Sequence, residues 1–272
     1  MKQYFNITSL IYNQPWLILP SAHKDIVNAF EKYIQSDLSM DDDEVMPDDM
    51  EEKMEVPISN TSVIDISGPI GKRLGMLELC FGATDLDTLS QQILDIENTP
   101  EIENVIFHFN SPGGTITGVE EAGELISELA KKKKCIAYTD TLCASAAYWL
   151  ASQCDYVYAS PSSQVGSVGV YMALMDATAA YAKEGYKPEV FSAGKYKTMG
   201  ADFRSITDEE RTMFQADVDA IYNKFKNAVL LKRTIKDEDL QGQVFTGEQS
   251  VEKGLVDGLA NSITEVIQLF KH

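Results

Sequence analysis

The 272-residue chain carries a net charge of −19 and 44% hydrophobic residues, which is enough to bury one substantial core and a smaller appendage. The acidic balance argues against nucleic acid as the main partner, because phosphate binding relies on clustered Lys and Arg. No apolar run approaches the eighteen or so residues that span a bilayer, and the first residues lack a basic-then-apolar signal pattern, so a soluble globular enzyme with no membrane partner is expected.

In chain order, residues 1–36 contain Trp16-Leu17-Ile18-Leu19-Pro20 and an amphipathic stretch from Ile26 to Ile34 that reads as one short helix. A piece of this size does not fold alone, so this N-terminal extension should pack on the body or on a neighbouring subunit. From Asp37 to Glu55 there are ten acidic residues and one lysine. Such a run repels itself and buries little, so residues 37–57 read as a disordered linker. Residues 58–272 form the main domain.

There, Val63–Ser67, Asn104–Asn110, Cys135–Thr139, Tyr156–Ala159 and Pro188–Ser192 read as strands. Asp85–Glu97, Val119–Lys132, Ala146–Ser152 and Ala177–Glu184 read as the helices between them. This alternation predicts an α/β fold with a largely parallel sheet covered by helices on both faces. Farther on, Phe214, Val218, Ile221, Phe225 and Val229 recur at three- and four-residue steps, the stripe of a long helix that faces core or a subunit contact. Asp208, Glu209 and Glu210 suit its N-terminus. Gln243–Gln249 and Gly254–Asp257 read as a closing strand, helix and turn.

The chemistry concentrates in a few short runs. Ser111-Pro112-Gly113-Gly114 follows the strand Asn104–Asn110, and Ser145 stands among small residues at the head of a helix. Free N–H groups at a helix start favour developing negative charge. Acyl transfer needs an activated nucleophile, a base and donors aimed at the oxyanion. A glycine-bounded strand, Val165–Val170, comes next, then Lys195 and Lys197. Ser145 with Lys197 suggests a serine hydrolase with a lysine base. Singly, a serine at a helix start is most often an N-cap and a Pro-Gly-Gly run a turn; the order of the elements gives them weight. An ordinary lysine has a pKa of about 10.4, so a lysine base requires a dry site, at a cost of about 4 kcal/mol. Val190, Phe191 and Met199 are candidates to shield it.

Competing chemistry is poorly supplied. Of the three histidines, His272 is the last residue, His23 precedes the acidic run, and His108 lies inside a strand, where a satisfied core or sheet-face role is expected. The four cysteines show no Cys-x-x-Cys pair, so zinc is not expected and free thiols are. Cys143, two residues before Ser145, reads as a small packing residue. No cofactor is called for.

These residues resemble the signal peptide peptidase A family of serine peptidases, within the ClpP/crotonase superfamily, from about Val63 to Asp257. Asn110–Gly114, Ala144–Tyr148, Gly166–Val170 and Lys197 match its motifs in order and spacing. The resemblance implies a spiral of ββα units, nucleophile Ser145, general base Lys197, and Ser167 orienting the lysine. It also implies an oxyanion hole from the backbone N–H groups of Gly114 and Ala146, and a homo-oligomer. Ala146-Ala147 departs from the family's Gly-Gly; it keeps the N–H groups but narrows the space beside them.

The layout of entry helix, acidic spacer and peptidase core is similar to the phage branch, the prohead or capsid-maturation proteases. That implies scaffold or capsid proteins as substrates, and the host cytoplasm or prohead as the place of work. Apolar residues around the site suggest small or hydrophobic side chains before the cut. The alternatives are a cellular signal-peptide-peptidase-like protease, a crotonase-like acyl-CoA enzyme, and a catalytically silent shell protein.

Overall fold

The computed structural model describes residues 15–35, 60–80 and 82–270; the acidic run 37–57 lies outside them. Five strands form the central sheet: β2 (Thr61–Ser67), β5 (Asn104–Asn110), β7 (Lys134–Thr139), β9 (Tyr156–Ala159) and β12 (Gly258–Leu259). Their order is β12-β9-β7-β5-β2, and every pair is parallel.

Because side chains alternate along a strand, β5 feeds two cores. Val105, Phe107 and Phe109 enter the main core. There they meet Leu89 and Ile93 of α3 (Leu86–Glu97), Ala122 and Ile126 of α4 (Val119–Ala130), and Phe225 and Val229 of α7 (Asp208–Leu230). Ile106, with Ile136 and Tyr138, enters a smaller core closed by Val266 of α9 (Ile263–Leu269). Helices thus cover both faces, as the sequence pattern predicts. Asp85 proves to be the cap of α3 rather than its first residue, its Oδ1 accepting from the Asp87 and Thr88 amides at 2.9 and 3.0 Å.

Each long strand is followed by a short one that leaves the central sheet. β6 (Gly113–Thr115) follows β5 and joins β3 (Ile70–Gly71) and β4 (Thr84–Asp85) in a second layer. β8 (Leu142–Ala144) follows β7, and β10 (Gln164–Gly166) follows β9; these two pair in parallel, with β11 (Val244–Thr246) antiparallel on β10. The units β5-β6-α4 and β7-β8-α5, where α5 is Ala146–Ala151, repeat strand, strand, helix. The fold is the ClpP/crotonase-like spiral of such units.

The described part of the N-terminal extension joins the body through one strand. β1 (Trp16–Ile18) adds antiparallel to β6, and α1 (Pro20–Gln35) follows. α2 (Met76–Cys80) lies between β3 and β4.

One expected element is missing. Pro188–Ser192 forms no strand, and residues 182–197 are all exposed beyond the short helix α6 (Thr178–Lys183). A strand persists only where a neighbour takes up its N–H and C=O groups. Among the described residues no backbone lies beside 188–192 to do so. The segment is tied down at its far end, where Arg204 grips Glu210 at 2.9 and 2.5 Å. Glu210 also closes a capping box with Thr207 at the start of α7. The apolar stripe of α7 divides accordingly: Phe225 and Val229 are core, while Phe214, Val218 and Ile221 are half-buried. After β11 the chain forms α8 (Gly247–Glu252), the expected closing strand and helix.

Candidate active site

Ser145 links β8 to α5 with φ 57° and ψ −119°, a strained conformation for a residue with a side chain. Its amide donates to the Gly166 carbonyl at 2.8 Å, and its carbonyl accepts from the Trp149 amide at 2.9 Å. The hydroxyl does not cap the helix. Ser145 is 1% exposed, and among the described residues its Oγ has no hydrogen-bond partner. The ordinary N-cap explanation therefore fails. A strained strand-to-helix turn that holds a hydroxyl clear of its own helix is the geometry of a nucleophile elbow.

The glycine turn comes up beside it. Parallel pairing of Ser111 with Cys143 fixes the approach, through Ser111 N–H to the Leu142 carbonyl at 2.8 Å and Ala144 N–H to the Ser111 carbonyl at 3.1 Å. Gly113 has φ 98°, and a Cβ there would lie 2.9 Å from the Ser145 Cβ and 2.1 Å from the Leu17 carbonyl oxygen. At Gly114 a Cβ would meet the Ile70 carbonyl oxygen at 1.8 Å. Both glycines are required by close approach. Ser111, fully buried, donates its hydroxyl to the Gly68 carbonyl at 2.6 Å and accepts from the Gly113 amide at 3.2 Å. It positions the turn. Sequence reasoning passed over Ser111, although a serine directly before Pro-Gly-Gly was the available signal.

Ser167 follows Gly166, whose carbonyl holds the Ser145 amide, and has φ 54°. Its own amide donates to the Gln243 carbonyl at 2.6 Å. β8 and β10 thus bring Ser145 and Ser167 to the same end of their parallel pair. Ala146 opens α5 and is fully buried.

Lys197 lies at the surface. It lies in a turn where its amide donates to the Gly194 carbonyl at 3.2 Å, and it is exposed. No hydrogen bond joins it to Ser145 among the described residues. Among the described residues the shield expected around it is not formed: Phe191 is 93% exposed, Val190 is also exposed, and only Met199 is half-buried. Lys197 follows the exposed 188–192 segment, which forms no strand. Lys195 is otherwise engaged, with Glu209 at 2.6 Å and the Tyr196 ring at 5.0 Å.

His108 is a sheet-face histidine. Nδ1 meets Asp65 at 2.8 Å, Nε2 meets Asp140 at 3.4 Å, and the ring stacks on Tyr138. The Asp65 hydrogen bond raises its pKa against the opposing effect of burial. His23 serves the extension, its Nδ1 lying 2.7 Å from the Tyr171 hydroxyl. Burial also raises the Cys143 thiol, which packs in the core. All four cysteines are free.

The geometry agrees with what the chain resembles. The family model described as Peptidase family S49 matches residues 127–271, which include Ser145, Ser167 and Lys197. The chain is 36% identical over 169 residues to the putative protease MJ0651 of Methanocaldococcus jannaschii, covering 60% of this chain and 54% of that protein. It is 28% identical over 210 residues to the chloroplastic serine protease SPPA of Arabidopsis thaliana, covering 74% of this chain and 31% of the relative. It is 24% identical over 217 residues to the capsid assembly protease C of Escherichia phage lambda, covering 79% and 49%. The chain spans about half the length, or less, of these curated relatives. With a matching family model over more than half its residues, a strained serine at the strand-to-helix turn and a glycine cradle beside it, the chain belongs to Peptidase family S49.

Proposed function

We propose that the protein is a serine endopeptidase in which Ser145 is the nucleophile and Lys197 the general base. The observation that carries this reading is the Ser145 hydroxyl itself, buried, partnerless and held off its helix in a strained turn. In the reaction Oγ attacks the scissile carbonyl and its proton passes to a neutral Lys197 amine. The Gly114 and Ala146 amides receive the oxyanion. Collapse breaks the C–N bond, the lysine returns the proton to the leaving amine, and water then releases the acyl group by the reverse sequence. Ser167, one residue beyond the carbonyl that holds Ser145, orients the lysine.

For Lys197 to act, residues 182–197 must move onto a surface that excludes water. Tyr186, Val190 and Phe191 are exposed on that segment, and a second copy of the chain is the partner that would cover them. The working form is thus a homo-oligomer. Phage scaffold or capsid proteins are the substrates we favour. The lambda capsid assembly protease C and the head-tail preconnector protein GP5 of Enterobacteria phage P21 are similar over 79% and 75% of this chain. Such an enzyme would act in the host cytoplasm, within the prohead. Among the described residues no helix is long and apolar enough to cross a membrane.

The test is covalent labelling with a fluorophosphonate, read by intact mass. Wild type should gain one adduct at Ser145, while Ser145→Ala and Lys197→Ala should each gain none. Mixing those two variants should restore labelling if the pair forms between copies. Incubation with co-expressed scaffold and head proteins, followed by mapping of new termini, identifies substrates. Full labelling of Lys197→Ala would remove the lysine from the mechanism, and a Ser145 that stays unreactive in the assembled protein even when β1 is released by Leu17→Pro would leave a silent shell component.

A further inference from the structure

β1 lies in a slot rather than on a simple edge. On one side Trp16 exchanges both backbone bonds with Tyr171, donating to its carbonyl at 2.9 Å and accepting from its amide at 3.3 Å. On the other side Trp16, Leu17 and Ile18 stand opposite Thr115, Gly114 and Gly113 of β6. The Leu19 amide donates to the Pro112 carbonyl at 3.0 Å. Bonded pairs alternate along an antiparallel ladder, so after Leu19 and Pro112 the next mutually bonded pair is Leu17 with Gly114. The Leu17 carbonyl therefore takes the Gly114 amide, one of the two donors assigned above to the oxyanion. Its oxygen is also the atom that a Cβ at Gly113 would strike, together with the Ser145 Cβ.

A peptide carbonyl beside the nucleophile, bonded to the oxyanion donor and carried on a strand paired at both edges, is how an extended substrate would sit. Leu17 is fully buried and Trp16 and Ile18 nearly so, which accounts for the burial of Ser145. His23 braces the arrangement through Tyr171 and lies with its ring 4.7 Å from that of Trp16.

Resting on the peptidase reading of this site, we propose that the slot between β6 and Tyr171 is a binding site for an extended peptide with bulky apolar side chains. Trp16–Ile18 is its resident occupant, an internal pseudosubstrate that closes the enzyme until it is displaced. A substrate must add as a strand in its place.

The test uses the full chain carrying Ser145→Cys, with alkylation at position 145 followed by peptide mapping, so that access is read without any demand on catalysis. Leu17→Pro, which removes the amide facing β6, and the milder Trp16→Ala should each speed alkylation at this position by about tenfold or more by releasing the strand. Cys80, exposed in every variant, provides the internal reference. An unchanged rate in both variants, with cooperative melting retained, overturns the proposal. Fluorophosphonate labelling of the native serine in the Leu17→Pro chain separates the two ideas. Faster alkylation with no labelling in the assembled protein would reject the peptidase reading while the occupancy of the peptide slot by Trp16–Ile18 stands. Labelling at equal rates with and without Leu17→Pro, alongside unchanged alkylation, would reject the pseudosubstrate alone.

Discussion

The amide of Ser145 donates to the carbonyl of Gly166 at 2.8 Å, and through this bond the run around Ser145 and the glycine-bounded run about twenty residues later become one site. It holds the strained serine from the side opposite the glycine turn. It also sets Ser167 next to the nucleophile, because Ser167 is the next residue along the chain. The site is therefore an assembly of strand ends, with each strand fixed by parallel pairing.

Gly114→Ala should be among the most damaging single substitutions. The added Cβ would meet the Ile70 carbonyl at 1.8 Å, and a backbone atom cannot step aside as a side chain can. A loss of about 3 kcal/mol or more is expected, visible as a drop in melting temperature on the order of 10 °C. A melting point within a degree of wild type would contradict the close approach of β3 and β6.

Ser111→Ala removes the hydroxyl that joins the Gly68 carbonyl to the Gly113 amide. Both partners lose a bond in a buried place, so about 1–3 kcal/mol of stability should go. Labelling of Ser145 should slow as the glycine turn loosens, and Ser111→Thr, which keeps the hydroxyl, should recover part of the rate. Equal labelling rates for wild type and Ser111→Ala would limit Ser111 to a role in folding.

The two neighbouring lysines should separate cleanly. Lys195→Ala breaks an exposed ion pair with Glu209, and surface pairs of this kind contribute little. Melting and serine labelling should be close to wild type, whereas Lys197→Ala should lose labelling with its melting unchanged. The reverse result would move the base to Lys195.

His108 gives a pH signature. Its pKa is raised in the folded state by Asp65, so the protonated form is favoured by folding. That contribution is fully present below the unfolded value of about 6.5 and is lost as pH rises through the higher folded value. Melting temperatures taken across this range should show a downward step as pH rises, and Asp65→Asn should flatten it. A step of the same size in Asp65→Asn would assign it to another group.

Much of the fold was legible in the sequence because its signals are local. Asn104–Asn110 and Tyr156–Ala159 are continuous apolar runs bounded by turn residues, and both form strands over those residues. The glycine turn and Ser145 were legible for a related reason: only small residues fit where two backbones nearly touch. The strand Pro188–Ser192 was misjudged because a segment with strand composition becomes a strand only when a partner is present. Nothing within 182–197 records that no partner stands beside it among the described residues.

The sequence by itself determined the strand and helix alternation, the family motifs and the serine at its helix start, all of which follow from residue size, periodicity and backbone freedom. Tertiary structure alone decided that Trp16–Ile18 pairs with the glycine turn beside Ser145 and that Lys197 is exposed. Both outcomes depend on which distant backbone offers its hydrogen-bonding edge, and strand pairing of that kind is a property of the assembled sheet rather than of the residues being paired.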